Sequence, residues 1–384
     1  MVAISAPENA PLSGVRVIDL SMQLPGPLTS LMLAHAGADV VKIERPDQGD
    51  ELRSAEPHEG GVSSAYHLLN HGKTIVAADL KDPEQRERVK AAARSAEVMI
   101  EQFRPGVASR LGIGYEDIRA INPQIVYCSI TGYGQHGPHR MRAGHDLNYL
   151  AESGRLHLTD HHGTPTIPPG AIADIAGGSY PAMVSILLAL RTAEQTGQGA
   201  HLDISMTHRL NVFAYAAIGA SNLTGMWPPS NSGMYNGGSP RYAFYETRDG
   251  RYVAVAAVED RFWARLVELL SLPDGATHSD DEEWVRAQLA AAISHRSAAE
   301  WSELFTGADV CCSVVATPEE AERAGMLNCA SDDGAYDNTC LSGWLPLGPT
   351  LNHHSVDAVQ QCRIERELVP ISADKSELWR RRGA

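Results

Sequence analysis

Three consecutive segments decide the fold: VRVIDL (residues 15–20), LPGPLTSLMLAHAGA (24–38) and VVKI (40–43). The outer two are short apolar runs rich in β-branched residues, a pattern that predicts strands. The middle segment carries leucines near helical spacing and ends at Gly37, a typical helix stop. Strand, helix and strand within about 30 residues make a βαβ unit, whose strands are parallel and joined by a right-handed crossover.

The same alternation continues along the first half of the chain. Further predicted elements are strands at 73–80, 98–101 and 124–130 and helices at 82–96 and 115–121. Residues 180–195 (YPAMVSILLALRTAEQ) form the clearest helix, small and apolar on most faces and so buried. GQGAHLDISMTH (197–208) follows as a turn and a strand. This part is therefore predicted to be an α/β domain with an open, Rossmann-like parallel sheet.

A second pattern begins near residue 241. RYAFYETRDGRYVAVAAVE (241–259) contains two β-rich runs joined by Arg248-Asp249-Gly250, and Asp-Gly between such runs is a strong hairpin signal. Helical segments follow at 260–270, 280–293 and 298–305. We therefore expect a small α+β domain at 225–325, beside a large α/β domain built from residues 1–210 and 330–384.

Composition narrows the class of partner. The 384 residues include 47 Asp and Glu against 32 Lys and Arg, for a formal net charge of −15. So acidic a chain is poorly suited to a nucleic-acid backbone or an anionic membrane, and we expect neither as a partner. The N-terminal residues lack the basic and apolar regions of a secretory signal. The longest apolar stretch, around 183–190, is short for a bilayer span. We expect a cytoplasmic protein.

Metal and disulfide sites are not expected either. The six cysteines are scattered and form no CxxC pair, which favours reduced thiols. HLTDHH (157–162) and the pair His353–His354 concentrate histidine, but no HExxH is present, so we predict no metal.

A glycine pattern follows the strand at 124–130. Gly132, Gly134 and Gly137 form a GxGxxG, yet Pro138 comes next and no helical pattern begins. A dinucleotide site needs a helix at that point to receive the pyrophosphate. We therefore predict a loop whose glycines allow a close backbone approach.

The candidate catalytic residues lie in the next two motifs. AGHDLNY (143–149) places His145 beside Asp146, and IADIAGGSY (172–180) places Asp174 before a Gly-Gly pair and the buried helix. A purely structural role is also possible for Asp174 and His145, because an acid at a helix start is often a cap and a histidine can pack in a core. The residues alone leave both interpretations open.

Six motifs follow one another along the first part of the chain: PLSGVRVIDL (11–20), PGP (25–27), AGADVVKIERP (36–46), NHGKTIVAADLKD (70–82), EQFRPGVASRLGIGYEDI (101–118) and NPQIVYCSITGYGQHGP (122–138). Their order resembles the class III CoA-transferase superfamily (CaiB/BaiF type). Within it, GHDLNY, ADIAGGS and YETRDGRYVAVAAVED resemble the alpha-methylacyl-CoA racemase branch. A transferase also has an aspartate at the position of Asp174, but His145, Asp146 and Glu259 together favour the racemase branch.

The resemblance implies a racemase or epimerase of 2-methylacyl-CoA thioesters that moves one proton through an enolate. His145 would take the α-proton of one epimer while Asp174 donates on the opposite face, with the roles reversed in the other direction. Glu259 would orient His145 from the second subunit of an interlocked homodimer. The backbone N–H groups of Asp146 and Met206 would meet the enolate oxygen, with Tyr149 beside the substrate.

The resemblance also assigns the CoA half of the substrate. Arg45 and Arg104 stand at the ends of predicted strands, where α/β sheets place ligands, and guanidinium groups suit phosphates. Lys73 is a third candidate for phosphate contact. No cofactor is expected, because CoA is part of the substrate.

Two alternatives remain at this stage. A CoA-transferase would use Asp174 as a nucleophile and pass through a mixed anhydride. A non-catalytic CoA-binding protein would bind CoA without turnover. The chain also departs from the family pattern: His71 replaces a common arginine, and DHHGTPTIPPG (160–170) and residues 328–359 match only loosely. The acyl group is therefore not defined by the sequence.

Overall fold

The computed structural model describes residues 10–59, 61–161, 163–273, 275–326 and 369–370. The C-terminal segment 373–383 (ADKSELWRRRG), whose pattern predicts a short helix, lies outside these residues. So do the pair His353–His354 and nearly all of the C-terminal part of the large domain. The chain divides into two compact units. Their described parts are residues 10–153, 168–212 and 369–370 in the first unit, and 154–161, 163–167, 213–273 and 275–326 in the second.

Fourteen strands occur in the described residues. In chain order they are β1 Arg16–Asp19, β2 Asp39–Glu44, β3 His58–Glu59, β4 Val62–Ser63, β5 Thr74–Ala77, β6 Val98–Glu101, β7 Val126–Thr131, β8 Asp160–His161, β9 Thr164–Pro165, β10 Ala200–Ser205, β11 Tyr242–Glu246, β12 Tyr252–Ala256, β13 Cys312–Val314 and β14 Val369–Pro370.

Fourteen α-helices connect them in the same described ranges. They are α1 Pro25–His35, α2 Ser64–Asn70, α3 Pro83–Ala93, α4 Val107–Arg110, α5 Tyr115–Arg119, α6 Asp146–Glu152, α7 Arg155–Leu158, α8 Tyr180–Thr196, α9 Met206–Arg209, α10 Tyr215–Thr224, α11 Asp260–Leu269, α12 Glu282–Ile293, α13 Ala298–Phe305 and α14 Pro318–Arg323. Short 3₁₀ turns occupy Glu51–Ser54, Leu210–Ala214 and Met234–Asn236, and a π-helical segment, Ala173–Ser179, runs directly into α8.

The first unit is built on a parallel sheet with the strand order β10-β7-β6-β1-β2-β5-β14. Every neighbouring pair is parallel, which confirms the predicted α/β class and the βαβ start. The chain builds outward from β1 to β2 and β5, then returns to β6 and continues the other way. The order thus reverses between β1 and β6, and in such sheets ligands bind beyond the strand ends at this switch point.

Both faces of the sheet centre are covered. Every residue of β6 and β7 is buried, as expected for parallel strands between helical layers. On one face Met99 and Tyr127 pack with Val89 of α3. On α1, Leu28 and Leu31 pack with Leu69 of α2. The sheet therefore presents only its edges and strand ends to ligands.

Several helices and strands are shorter than predicted. The predicted helix 82–96 spans Pro83–Ala93, because Asp82 caps it by accepting the N–H groups of Glu84 and Gln85. The predicted strand 73–80 is reduced to Thr74–Ala77. The predicted helix begins at Tyr180 as expected, but it is buried on one side only, since Val184 and Leu188 are exposed. The π-helical segment before it was not predicted.

The second unit contains the predicted hairpin. β11 and β12 pair antiparallel around Arg248-Asp249-Gly250, and β13 adds a third strand that the sequence did not suggest. Its core surrounds Trp263 and Trp301, both almost fully buried. Residues 154–161 and 163–167, with the small β8–β9 pair, also belong to this unit rather than to the first, where they were predicted to lie.

The continuous helical stretch Ala173–Thr196 is long and apolar enough to cross a membrane by length and composition. The apolar stretch 183–190, predicted to be short for a bilayer span, is only the central part of this helical stretch. Residues such as Ala182, Ile186 and Ala193 are buried in the first unit, as in a core helix of a globular domain.

Candidate active site

The motif at 143–149 and the motif at 172–180 meet through Asp146. Asp146 begins α6, and one of its carboxylate oxygens accepts the backbone N–H of Ala173 at 2.5 Å and of Asp174 at 3.0 Å. His145 stands just before this helix, exposed, with its backbone N–H bonded to the Asn148 side chain at 3.0 Å. The structure thus gives the Asp146 carboxylate a positioning role toward Asp174 that sequence reasoning did not anticipate.

Asp174 is the most perturbed carboxyl of this group. Its pKa is raised to about 6, first by burial and then by the neighbouring Asp146 carboxylate, while His145 opposes the shift. The three side chains therefore interact electrostatically. A carboxyl half-protonated near pH 6 beside an imidazole can take up or release a proton close to neutral pH, which is what general acid–base chemistry requires.

The glycine pair after Asp174 permits a close contact with Met206. A Cβ at Gly177 would lie 2.4 Å from the Met206 carbonyl oxygen, and one at Gly178 would lie 3.1 Å from Pro25. Ser179 adds a polar link, since its hydroxyl lies 2.9 Å from the Pro25 carbonyl and 3.2 Å from that of Asp174. π-Helical turns are frequent at functional sites. Here the π-helical segment that carries Asp174 contacts Met206, the first residue of α9, through its two glycines.

The Tyr149 ring packs against the glycine loop. A Cβ at Gly132 would lie 2.5 Å from the Tyr149 ring, and one at Gly144 would lie 2.7 Å from it. Only glycine therefore fits at these two positions. Its hydroxyl donates to the Gly144 carbonyl at 2.5 Å. Burial raises the pKa of Tyr149 to about 12, with Asp174 adding to the shift. No helix opens after Gly137, which confirms the prediction of a loop.

Arg45 and Arg104 occupy strand ends at the carboxyl edge of the sheet. Arg45 follows β2 and donates to Gln48 at 2.8 Å, and Arg104 follows β6; both are exposed. Arg104 lies within electrostatic reach of Tyr149, since it opposes the rise in the pKa of that phenol. Two cations thus flank the switch point in an acidic protein.

The first helix cannot offer the usual phosphate site. α1 begins with Pro25-Gly26-Pro27, and prolines have no N–H to donate. The Gly26 N–H is already bonded to the Gln102 side chain at 3.1 Å. Because an anion at a helix start needs free amides, a phosphate bound at this edge would depend on side chains rather than on the start of α1.

Lys73 does not resemble the two arginines. Its ammonium is fully buried, 3.4 Å from Asp19, 2.8 Å from the Pro27 carbonyl and 3.0 Å from the Asn70 side chain. Burial lowers the pKa of Lys73 to about 7, against the attraction of Asp19. This interior position does not fit the predicted phosphate contact, because the ammonium is bonded to groups at the end of β1, within α1 and at the end of α2.

The remaining predicted residues are separated between the units. Met206 begins α9 in the first unit and is buried, and the next N–H, that of Thr207, donates to Gly132 at 3.0 Å. Glu259 is an exposed residue of the second unit, directly before α11. Among the described ranges no three His, Cys, Asp or Glu side chains are grouped as metal ligands. The absence of a metal stays a prediction.

Sequence reasoning missed Glu101 at the end of β6. It is almost fully buried, and burial raises its pKa to about 7, while bonds from Ser129 and the Phe103 N–H oppose that rise. The Phe103 contact is 2.7 Å long and fixes the backbone directly before Arg104. The sequence signal for a buried acid at this position was the glutamate that ends the apolar run VMIE.

A parallel sheet with a switch point, arginines at its carboxyl edge, and a buried carboxyl that interacts electrostatically with an imidazole are features typical of α/β enzymes. The chain belongs to CoA-transferase family III, whose model matches residues 12–330.

Relatives within the family differ in activity. The chain is 36% identical to human succinyl-CoA:glutarate CoA-transferase over 311 residues, covering 78% of this chain and 70% of the relative. It is 31% identical to human alpha-methylacyl-CoA racemase over 384 residues, covering 95% and 97%. Among solved structures, a CAIB/BAIF family protein from Brucella suis matches with a TM-score of 0.71 at 28% identity, covering 84% and 90%.

Proposed function

We propose that this protein is a racemase or epimerase of 2-methylacyl-CoA thioesters. The observation that carries the proposal is the pair formed by Asp174, with a pKa raised to about 6, and His145, which interacts with it electrostatically. The near-complete coverage by the human racemase supports it, since that match extends over 95% of the chain.

The two residues divide the chemistry. The proton alpha to a thioester is weakly acidic, so its removal needs a positioned base and stabilisation of the enolate oxygen. Neutral His145 removes the proton from one face while protonated Asp174 delivers one to the other, and the reverse reaction exchanges the roles. The backbone N–H groups of Asp146 and Met206 serve the enolate oxygen. The scheme uses no cofactor beyond the CoA of the substrate.

A CoA-transferase is the second candidate. The 36% identity to human succinyl-CoA:glutarate CoA-transferase favours it. In that reaction the Asp174 carboxylate attacks the thioester carbonyl, the C–S bond breaks, and CoA leaves as a thiolate to give a mixed anhydride. An acid acceptor is then required, whereas a racemase turns over the thioester alone.

The pH profile of kcat/KM separates the two reactions. The racemase needs Asp174 protonated when His145 is the base, so exchange with inversion of that epimer should fall as the pH rises above about 6. The transferase needs only the Asp174 carboxylate, so acyl transfer should rise through about pH 6 and then stay level. A level alkaline limb for exchange contradicts the acid–base pair.

The arginines lead to a binding prediction. Arg45→Ala or Arg104→Ala should raise the KM for acyl-CoA about tenfold, because each removes a charge-assisted bond to phosphate. kcat should change little, since phosphates are held equally in the ground and transition states. Arg119→Ala, an exposed arginine on α5, is the matched control. Steady-state kinetics measures KM and kcat for each variant. Unchanged CoA affinity in both arginine variants would show that these arginines do not bind the substrate.

A homodimer is part of the same proposal. α8 exposes Tyr180, Val184, Leu187 and Leu188 on its outer side, with Leu188 66% exposed. These residues recur at helical spacing, and an apolar face of this kind commonly marks a protein interface. A second copy of the chain covers it in our proposal, with Glu259 completing the site of its partner.

Complementation tests the shared site. Glu259→Ala and His145→Ala chains are each expected to be nearly inactive, but unfolding and refolding them together should restore part of the exchange rate. Mixed dimers then contain one site with both residues intact. Activity from a monomer, established by analytical ultracentrifugation, contradicts the arrangement.

A further inference from the structure

A buried ion pair holds the loop between β1 and α1, residues 21–24. Lys42 Nζ donates to the Ser21 carbonyl at 2.6 Å and lies 3.0 Å from Asp50 Oδ2, and both side chains are fully buried. The Asp50 carboxylate in turn accepts the Gln23 N–H at 3.1 and 3.2 Å. The pair therefore holds the peptide groups on both sides of Met22.

The backbone held in this way is unfavourable. Gln23 has φ +65°, in the left-handed region that non-glycine residues rarely adopt. Asp50 is itself fixed, because it accepts the Leu52 N–H at 3.0 Å and donates its own N–H to Glu44 at 3.1 Å. Strained residues persist only where their surroundings determine them, and such residues are concentrated at functional sites.

The loop lies where a ligand is expected. It follows the carboxyl end of β1, the central strand beside the switch point, between the strands that carry Arg45 and Arg104. At its far end, the Pro25 carbonyl accepts the Ser179 hydroxyl at 2.9 Å, and that hydroxyl lies 3.2 Å from the Asp174 carbonyl. One end of the loop is thus held by the ion pair, and the other contacts the Asp174 segment.

We propose that Lys42 and Asp50 are positioning residues, which fix this loop and, through Pro25 and Ser179, the segment carrying Asp174 against the acyl thioester. The inference rests on the proposed function, because it concerns the placement of the same reacting group. Stability alone does not account for the pair, since well-packed apolar side chains at such a position are often as stable as the ions. The pair instead holds two particular peptide groups in a conformation that the chain does not favour.

The test separates position from stability. The double variant Lys42→Met/Asp50→Leu removes both charges together, so neither is left buried without its partner. We expect its Kd for free CoA to stay near that of the wild type while kcat for α-proton exchange falls on the order of 10²-fold. Its Tm should fall by only several degrees, because the Ser21 carbonyl and the Gln23 N–H lose their partners. Arg16→Met/Glu97→Leu is the matched control, because that 2.8 Å ion pair lies at the opposite end of β1; its kcat should not change.

Other results overturn the inference. Wild-type kcat in a stable double variant shows that the pair does not position the site. A parallel loss of Tm, CoA affinity and kcat shows a structural role only. If the wild type exchanges no proton but transfers acyl groups, the proposed function fails, and the same comparison is made with kcat for transfer.

A second pair of variants applies if the double variant does not fold. Gln23→Gly keeps positive φ without strain but loosens the loop, so kcat should fall several-fold while Tm is maintained. Gln23→Asn tolerates the left-handed region with less freedom and should retain more of kcat. Equal kcat in both variants and the wild type overturns the inference.

Discussion

His145→Ala is expected to lose deuterium incorporation from one epimer by a factor on the order of 10²–10⁴, the usual contribution of a general base. Asp174 still reaches the α-carbon of the other epimer from its own face, so exchange there should persist without inversion. Asp174→Ala should show the opposite preference. Proton NMR of the α position, with each pure epimer in heavy water, measures both rates.

The controls are chosen from the same region. His139→Ala removes an exposed imidazole from the glycine loop and should leave both rates near the wild-type values. Asp174→Glu keeps the carboxyl but misplaces it by about 1 Å, which can cost about 10²-fold. If His145→Ala affects both epimers slightly and Asp174→Ala abolishes only acyl transfer to an added acid, Asp174 is a nucleophile and the acid–base pair does not exist.

Gly177→Ala should be nearly as damaging as loss of a reacting group, although glycine has no functional side chain. The added Cβ would lie 2.4 Å from the Met206 carbonyl oxygen, and backbone cannot move aside as a flexible side chain would. The π-helical segment must shift, and it carries Asp174. We expect exchange to fall on the order of 10²-fold, with a loss of stability of about 1–3 kcal/mol.

Gly219→Ala is the matched control for that substitution. Gly219 is also helical, in α10, and a Cβ there meets nothing within 4 Å. Alanine should therefore stabilise the helix by about 1 kcal/mol without loss of activity. Thermal unfolding and exchange kinetics are measured together. A fully active Gly177→Ala protein contradicts the close contact between the Asp174 segment and Met206.

The sequence predicted those features that depend on local pattern. VRVIDL and VVKI became parallel neighbours in the sheet, because apolar β-branched runs separated by a helix leave few alternatives. The Asp-Gly hairpin formed as expected for the same reason. The motifs identified His145 and Asp174 as candidates, and the structure adds the hydrogen bond from the Asp174 N–H to the Asp146 carboxylate.

Features that depend on long-range packing were not predictable. Lys42 and Lys73 are both fully buried, and this requires Asp50 and Asp19, which pattern alone does not pair with them. The π-helical turn exists because Gly177 and Gly178 approach Met206, a residue distant in sequence. Glu101 became a buried acid because the strands beside it removed it from water.

The most direct test of the account uses the wild-type protein with a single thioester. The protein is incubated in heavy water with one pure epimer of a 2-methylacyl-CoA ester and no free carboxylic acid. The account predicts loss of the α-proton signal together with appearance of the opposite epimer. No exchange from either epimer, with rapid transfer of CoA once a carboxylic acid is added, would contradict it.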